Sequence, residues 1–170
     1  MAAETTPPIW DFVLAFYRQE GVSEAAIALQ DSVGIDVNMV LFLMWMASQK
    51  RALDAAAVKS VSEKSHPWQR HVVVPIREIR RMLKTDAPLV ETETALAYRK
   101  KVQALELEGE QLQLTAMAAM AQTLPGTTAA SPDAAARANL QAFAEAMAVK
   151  VPQASVDTFV RALQGAAHGG

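Results

Sequence analysis

The chain contains no cysteine. Disulfides, thiolate metal sites and cysteine nucleophiles are thereby excluded, and the composition suits a reducing compartment. Histidine is scarce: His66, His71 and His168 are scattered, and none forms an i, i+4 pair with another ligand. No metal or haem site is therefore expected. There is no Gly-x-x-x-x-Gly-Lys loop, no Gly-x-Gly-x-x-Gly and no Gly-x-Ser-x-Gly. No catalytic set, nucleotide loop or cofactor is indicated. Aromatic residues make up 6% of the chain, with no glycine-flanked aromatic platform for stacking RNA bases. The formal charge of −2 gives no global pull toward nucleic acid or anionic lipid. The most apolar run, Met39 to Ala47, is far short of the ~20 residues that span a bilayer. The opening MAAETTPPIWDF lacks the basic start and apolar core of a secretory leader, so a cytoplasmic location is expected.

What is present is helical. Half of the 170 residues are hydrophobic, enough for one domain with a sizeable core. No run of alternating apolar and polar residues is bounded by turn signals, so no strand is predicted. The spacing predicts a first helix opened by Thr6-Pro7-Pro8 and stopped by Gly21, and a second capped by Ser23 and ended near Gly34. A third is capped by Asp36 and apolar on nearly every side, hence buried among the others. Asp54 caps a fourth. The polar stretch Ser62 to Pro67 reads as a break before a fifth helix, Trp68 to Lys84, bent by Pro75.

A sixth helix starts near Pro88 and runs past Met120. Tyr98, Val102, Leu105, Gly109 and Leu112 fall at alternating four and three spacing on it, the pattern of a heptad seam weakened by the glycine. From Ala116 to Val149, 14 of 34 residues are alanine, a composition shift that marks a separate segment. The expected organisation is all-α: an irregular bundle over 7–120, a linker over 121–132, a C-terminal helical hairpin over 133–164 and a disordered tail over 165–170. The hairpin is expected to be dispensable for folding of the rest.

Three features stand out. The junction Gln30, Asp31, Asp36 and Asn38 holds two carboxylates and two amides between apolar helices. Such a group suits a small ligand, a metal or acid–base work, but the same residue types are what a helix junction requires. Second, on a wheel of about 100° per residue, Arg70, Arg77, Arg81 and Lys84 share one face, opposite Trp68, Val72, Ile76, Ile79 and Leu83. That face fits an acidic partner or RNA phosphate, or is a solvated surface. Third, the seam Tyr98, Val102, Leu105 and Leu112 fits another copy of the chain or a protein partner, or packing on the body.

Residues Trp10-Asp11-Phe12, the box Leu29-Gln30-Asp31 with Gly34 and Asp36-Val37-Asn38, and the segment Trp68 to Lys84 with Val73-Val74-Pro75, Arg77 and Arg80-Arg81 occur together. With Glu106-Leu107-Glu108 and Glu110 they resemble a mostly proteobacterial family of short helical proteins filed as a domain of unknown function. The resemblance covers Ile9 to Leu114 and implies no activity, cofactor or catalytic residue. The expectation is a non-enzymatic adaptor or protein-interaction domain. An RNA- or ribosome-associated factor and a small-ligand or metal-dependent enzyme using Asp31 and Asp36 are the alternatives.

Overall fold

The computed structural model describes residues 8–85 and 89–167. Thr6, Pro7, Pro88 and the last three residues of the expected tail lie outside them; the long helix, expected to start near Pro88, begins at Thr92. The helices are α1 (Ile9–Tyr17), α2 (Val22–Val33), α3 (Val37–Ser48), α4 (Ala55–Trp68), α5 (Val74–Thr85), α6 (Thr92–Ala121), α7 (Pro132–Met147) and α8 (Gln153–Ala167). A π turn, Gln69–Val73, joins α4 to α5. The architecture is all-α with a long helix and C-terminal helices.

α3 is the axis of the core. Every residue from Asn38 to Ala47 is buried, as apolar side chains on all sides demand. Asp36 Oδ1 caps it by accepting from Asn38 N at 3.0 Å. Asp54 caps α4 through Ala57 N at 2.8 Å. Gly34 ends α2 in the left-handed conformation, φ 70°, with its N–H on Gln30 O. The expected cap Ser23 is displaced: α2 begins at Val22 after Gly21, whose φ of 80° is costly for any residue with a Cβ.

Two other expectations are corrected. Short strands exist: β1 (Arg51–Ala52) pairs antiparallel with β2 (Thr127–Thr128). The break at Ser62–Pro67 is absent, because α4 runs through it. Ser65 turns inward, and its Oγ bonds Ser62 O at 3.4 Å. The two prolines, Pro67 and Pro75, bracket the π turn, where Val74 N reaches back five residues to Gln69 O. A single-turn π bulge accommodates one extra residue, so the helix continues with its faces rotated rather than ending.

The C-terminal helices pack against the bundle. α3 packs most extensively on α7. Ala136, Leu140 and Phe143 of α7 and Phe159, Val160 and Leu163 of α8 belong to the same core cluster as Phe42 and Met44 of α3. Asn139, fully buried, ties this layer down. Its Oδ1 accepts from Leu53 N at 2.8 Å, and its Nδ2 donates to Leu43 O at 3.1 Å and Arg51 O at 3.0 Å. Alanine-rich helices are smooth and approach closely, which suits the packing of α7 on α3 and α4. The crossing before α7 is fastened as well: Arg51 donates to Ala121 O at 2.9 Å and Leu124 O at 3.2 Å. The final helix extends to Ala167, past the expected onset of the tail.

Candidate functional site

The α2–α3 junction faces the α4–π turn–α5 helix across a basin of about 500 Å³. Val33, Ile35, Met39, Phe143 and Met147 form its apolar wall. Asp36, Gln69 and His66 line it together with the arginines Arg70, Arg77 and Arg81. The volume is in the range of small-molecule sites.

Asp36 does more than cap α3. Its Oδ2 accepts from Gln113 Nε2 at 2.7 Å, while Gln113 Oε1 accepts from Asn38 Nδ2 at 2.8 Å. The three side chains close a polar ring between α3 and α6. Burial pushes the Asp36 carboxyl above its ordinary pKa, and the donors from Gln113 and Asn38, with the charges of Arg77 and His66, offset this only in part.

Beside the ring lies a network of ion pairs between α5 and α6. Arg77 Nε donates to Glu106 Oε1 at 2.8 Å and Arg77 Nη2 to Glu110 Oε1 at 2.7 Å. Arg80 forks onto the same Glu106 carboxylate. Burial raises the Glu106 pKa, but Arg80 and Arg77 more than reverse it, leaving the carboxyl below its usual value. For Glu110 the balance goes the other way: burial dominates and the pKa is raised. Tyr17, near Glu110, is pushed up to about 12, first by burial and then by that carboxylate.

Of the expected arginine face, Arg70, Arg81 and Lys84 are exposed and Arg77 is not. The π turn separates Arg70 from the other three, but Arg77, Arg81 and Lys84 all follow it and keep their mutual spacing on α5. Arg77 turns inward, its side chain only 12% exposed. Arg70, Arg81 and Lys84 remain exposed, and Arg81 reaches Asp31 at 3.4 Å. The face expected to anchor the helix is instead partly open: Ile79 and Trp68 are exposed, although the Trp68 indole donates to Gly109 O at 2.9 Å.

The expected seam splits. Val102 is buried, and Gly109 sits against Val72 and Val73. Tyr98, Leu105 and Leu112 are 57%, 53% and 53% exposed. The junction residues Gln30, Asp31 and Asp36 all line the basin, whereas Asn38 is buried behind it.

Residues that sequence reasoning did not single out as a site are Gln69, Glu106, Glu110 and Gln113. A signal existed for two of them. Val102, Glu106, Gly109 and Gln113 follow four–three–four spacing, so a carboxylate and an amide stand on the buried stripe of α6 and need partners there. Among the described residues no group of three or more His, Asp or Glu is arranged to hold a metal ion. No described helix is long and apolar enough to cross a membrane.

A family described as "Protein of unknown function (DUF2390)" matches residues 8–117. No curated protein and no solved structure matches the chain significantly.

Proposed function

The chain belongs to this DUF2390 family, and since α5 and most of α6 fall inside the matched span, we propose that it is a non-enzymatic, cytoplasmic interaction domain that docks a second copy of itself through α6. The observation that carries this reading is the exposed apolar line Tyr98, Leu105 and Leu112, one heptad apart on a helix about 45 Å long. α5, which packs chiefly on α6 and the π turn, leaves that line uncovered. Monomeric proteins seldom leave an ordered apolar stripe in water.

The charges beside the stripe favour self-association. Lys101 and Glu108 lie between the three apolar residues on the same face, both exposed and without an ion-pair partner among the described residues. An antiparallel pair of α6 helices crossing at Leu105 brings Tyr98 of one copy onto Leu112 of the other. It also sets Lys101 beside Glu108, twice by symmetry. This self-complementarity is what a two-fold interface requires.

The other readings have less support. A basic strip for RNA is interrupted, since Arg77 and Arg80 are held by Glu106 and Glu110 and Arg81 by Asp31. The carboxylates suggested for catalysis, Asp31 and Asp36, are engaged by Arg81 and by the Gln113 ring.

Sedimentation velocity across a wide concentration range tests the proposal. A weak dimer is expected, abolished by Leu105→Asp and weakened by Lys101→Glu. The double variant Lys101→Glu with Glu108→Lys should restore it. A monomer at every concentration, or a dimer indifferent to both charge reversals, overturns this interface.

A further inference from the structure

We propose that α5 joins α6 in the self-association: the two helices form one apolar layer, and two copies stack these layers into a four-helix bundle in which Ile79 meets its counterpart near the two-fold axis. This rests on the α6 pairing proposed above and extends it to a second helix. At about 100° per residue, Pro75, Ile76, Ile79, Met82 and Leu83 share an arc of about 120° on α5, and that arc holds no charged residue. No residue of α5 is fully buried, and Ile79 and Met82 are each 44% exposed. α5 packs chiefly on α6 and the π turn, so no third helix packs extensively on the arc. An amphipathic helix ordinarily buries such a face.

The arc and the α6 line lie on the same side of the helix pair. Arg77 and Arg81 border one groove together with Gln103, Leu107 and Glu110 of α6. Both apolar stripes face away from that groove. The α5 arc is centred opposite Arg77 and Arg81, and Tyr98, Leu105 and Leu112 lie roughly half a turn from Gln103, Leu107 and Glu110. The levels match as well. Arg80 is bonded to Glu106, so the neighbouring Ile79 stands level with Leu105. A two-fold axis between the layers, crossing them at Leu105, sets each helix antiparallel on its own counterpart. Leu105 and Ile79 then each meet themselves, in the arrangement of an antiparallel four-helix bundle.

Two observations favour a second copy as the occupant. Three half-exposed side chains on α6 fall short of the ~800 Å² per partner that a specific interface buries, and the α5 arc adds apolar area beside them. The arc is uncharged, so it meets its own copy without like-charge repulsion, whereas a charged partner finds nothing there to pair with.

The chain has no cysteine, so single-cysteine variants report the geometry directly. Ile79→Cys and Leu105→Cys are compared with Lys100→Cys, an exposed position on another side of α6. Each full-length variant is oxidised with copper phenanthroline and resolved on non-reducing gels. Covalent dimer is expected through Leu105→Cys and through Ile79→Cys, and far more slowly through Lys100→Cys. Ile79→Asp, shown to be folded by circular dichroism, should weaken the dimer by about tenfold or more in sedimentation velocity. Linking through Leu105→Cys but not Ile79→Cys overturns the stacked layer and leaves the α6 pairing standing. Linking through Ile79→Cys alone, or through neither, overturns both. The layer also fails if Lys100→Cys links as fast as Ile79→Cys, or if folded Ile79→Asp dimerises as the wild type does.

Discussion

α3 and α5 are both twelve residues long, and they meet their surroundings in opposite ways. α3 buries ten residues among α1, α2, α6, α7 and α8. α5 buries none completely, and its closest inward contacts are the guanidiniums of Arg77 and Arg80 on the carboxylates of Glu106 and Glu110. One helix is held by removal of apolar surface from water, which is non-directional and sums over many contacts. The other depends on a few geometrically exacting charge pairs. A protein built this way has a rigid body and a helical pair whose attachment responds to pH and to single substitutions.

The sharpest way to break the comparison is to attack the layer that covers α3. Truncation after Thr123 removes α7 and α8, and with them Phe143, Phe159 and Leu163 from the core cluster. Cooperative unfolding should be lost. Asn139→Leu tests the same layer without deletion: it removes the partners of Leu53 N–H, Leu43 O and Arg51 O, at a cost of about 3 kcal/mol or more. A truncated chain that still melts cooperatively would show that the hairpin is an accessory.

The second effect falls on α5. Glu106→Gln leaves Arg77 and Arg80 sharing a neutral acceptor, and a loss of about 3–5 kcal/mol is expected, as when one partner is removed from a buried pair. The pH dependence carries opposing signs. The lowered Glu106 pKa contributes stability that is present above 4.5 and lost as the pH falls through its folded value. The raised pKa values of Asp36 and Glu110 do the reverse: between each unfolded value, 3.8 or 4.5, and its higher folded value, the native state binds more protons, so stability rises on acidification. Thermal melts of the wild type should therefore hold or improve from neutral to mildly acidic pH and decline below 4.5. Glu106→Gln should flatten that decline; an unchanged acid limb would mean that the network contributes little.

The smallest effect sharpens the picture of α6. A Cβ added at Gly109 would meet Val73 Cγ2 at 3.8 Å, an ordinary contact. Gly109→Ala should therefore stabilise the helix by about 0.5–1 kcal/mol, read as a small rise in melting temperature. A fall would mean that the Trp68 indole bond to the Gly109 carbonyl needs the glycine backbone.

The sequence by itself determined the helical class, the burial of α3, the helix stops at Gly34 and the caps Asp36 and Asp54. These depend on local chemistry: apolar periodicity, a carboxylate two or three residues ahead of a free N–H, a glycine that tolerates positive φ. It also marked Asp31, Asp36 and the Arg77–Arg81 segment as related, since their boxes occur together. Only the tertiary structure decided which way those side chains point. The π turn changes the helical phase by one residue, and no periodicity calculated on a regular helix carries that shift past Val73. Arg77 points at Glu106 and not at solvent because α6 packs against α5 there. The same holds for α7: its alanines look like a weak core until α3 is placed against them, because small side chains bury surface only when a neighbouring helix comes close enough to touch.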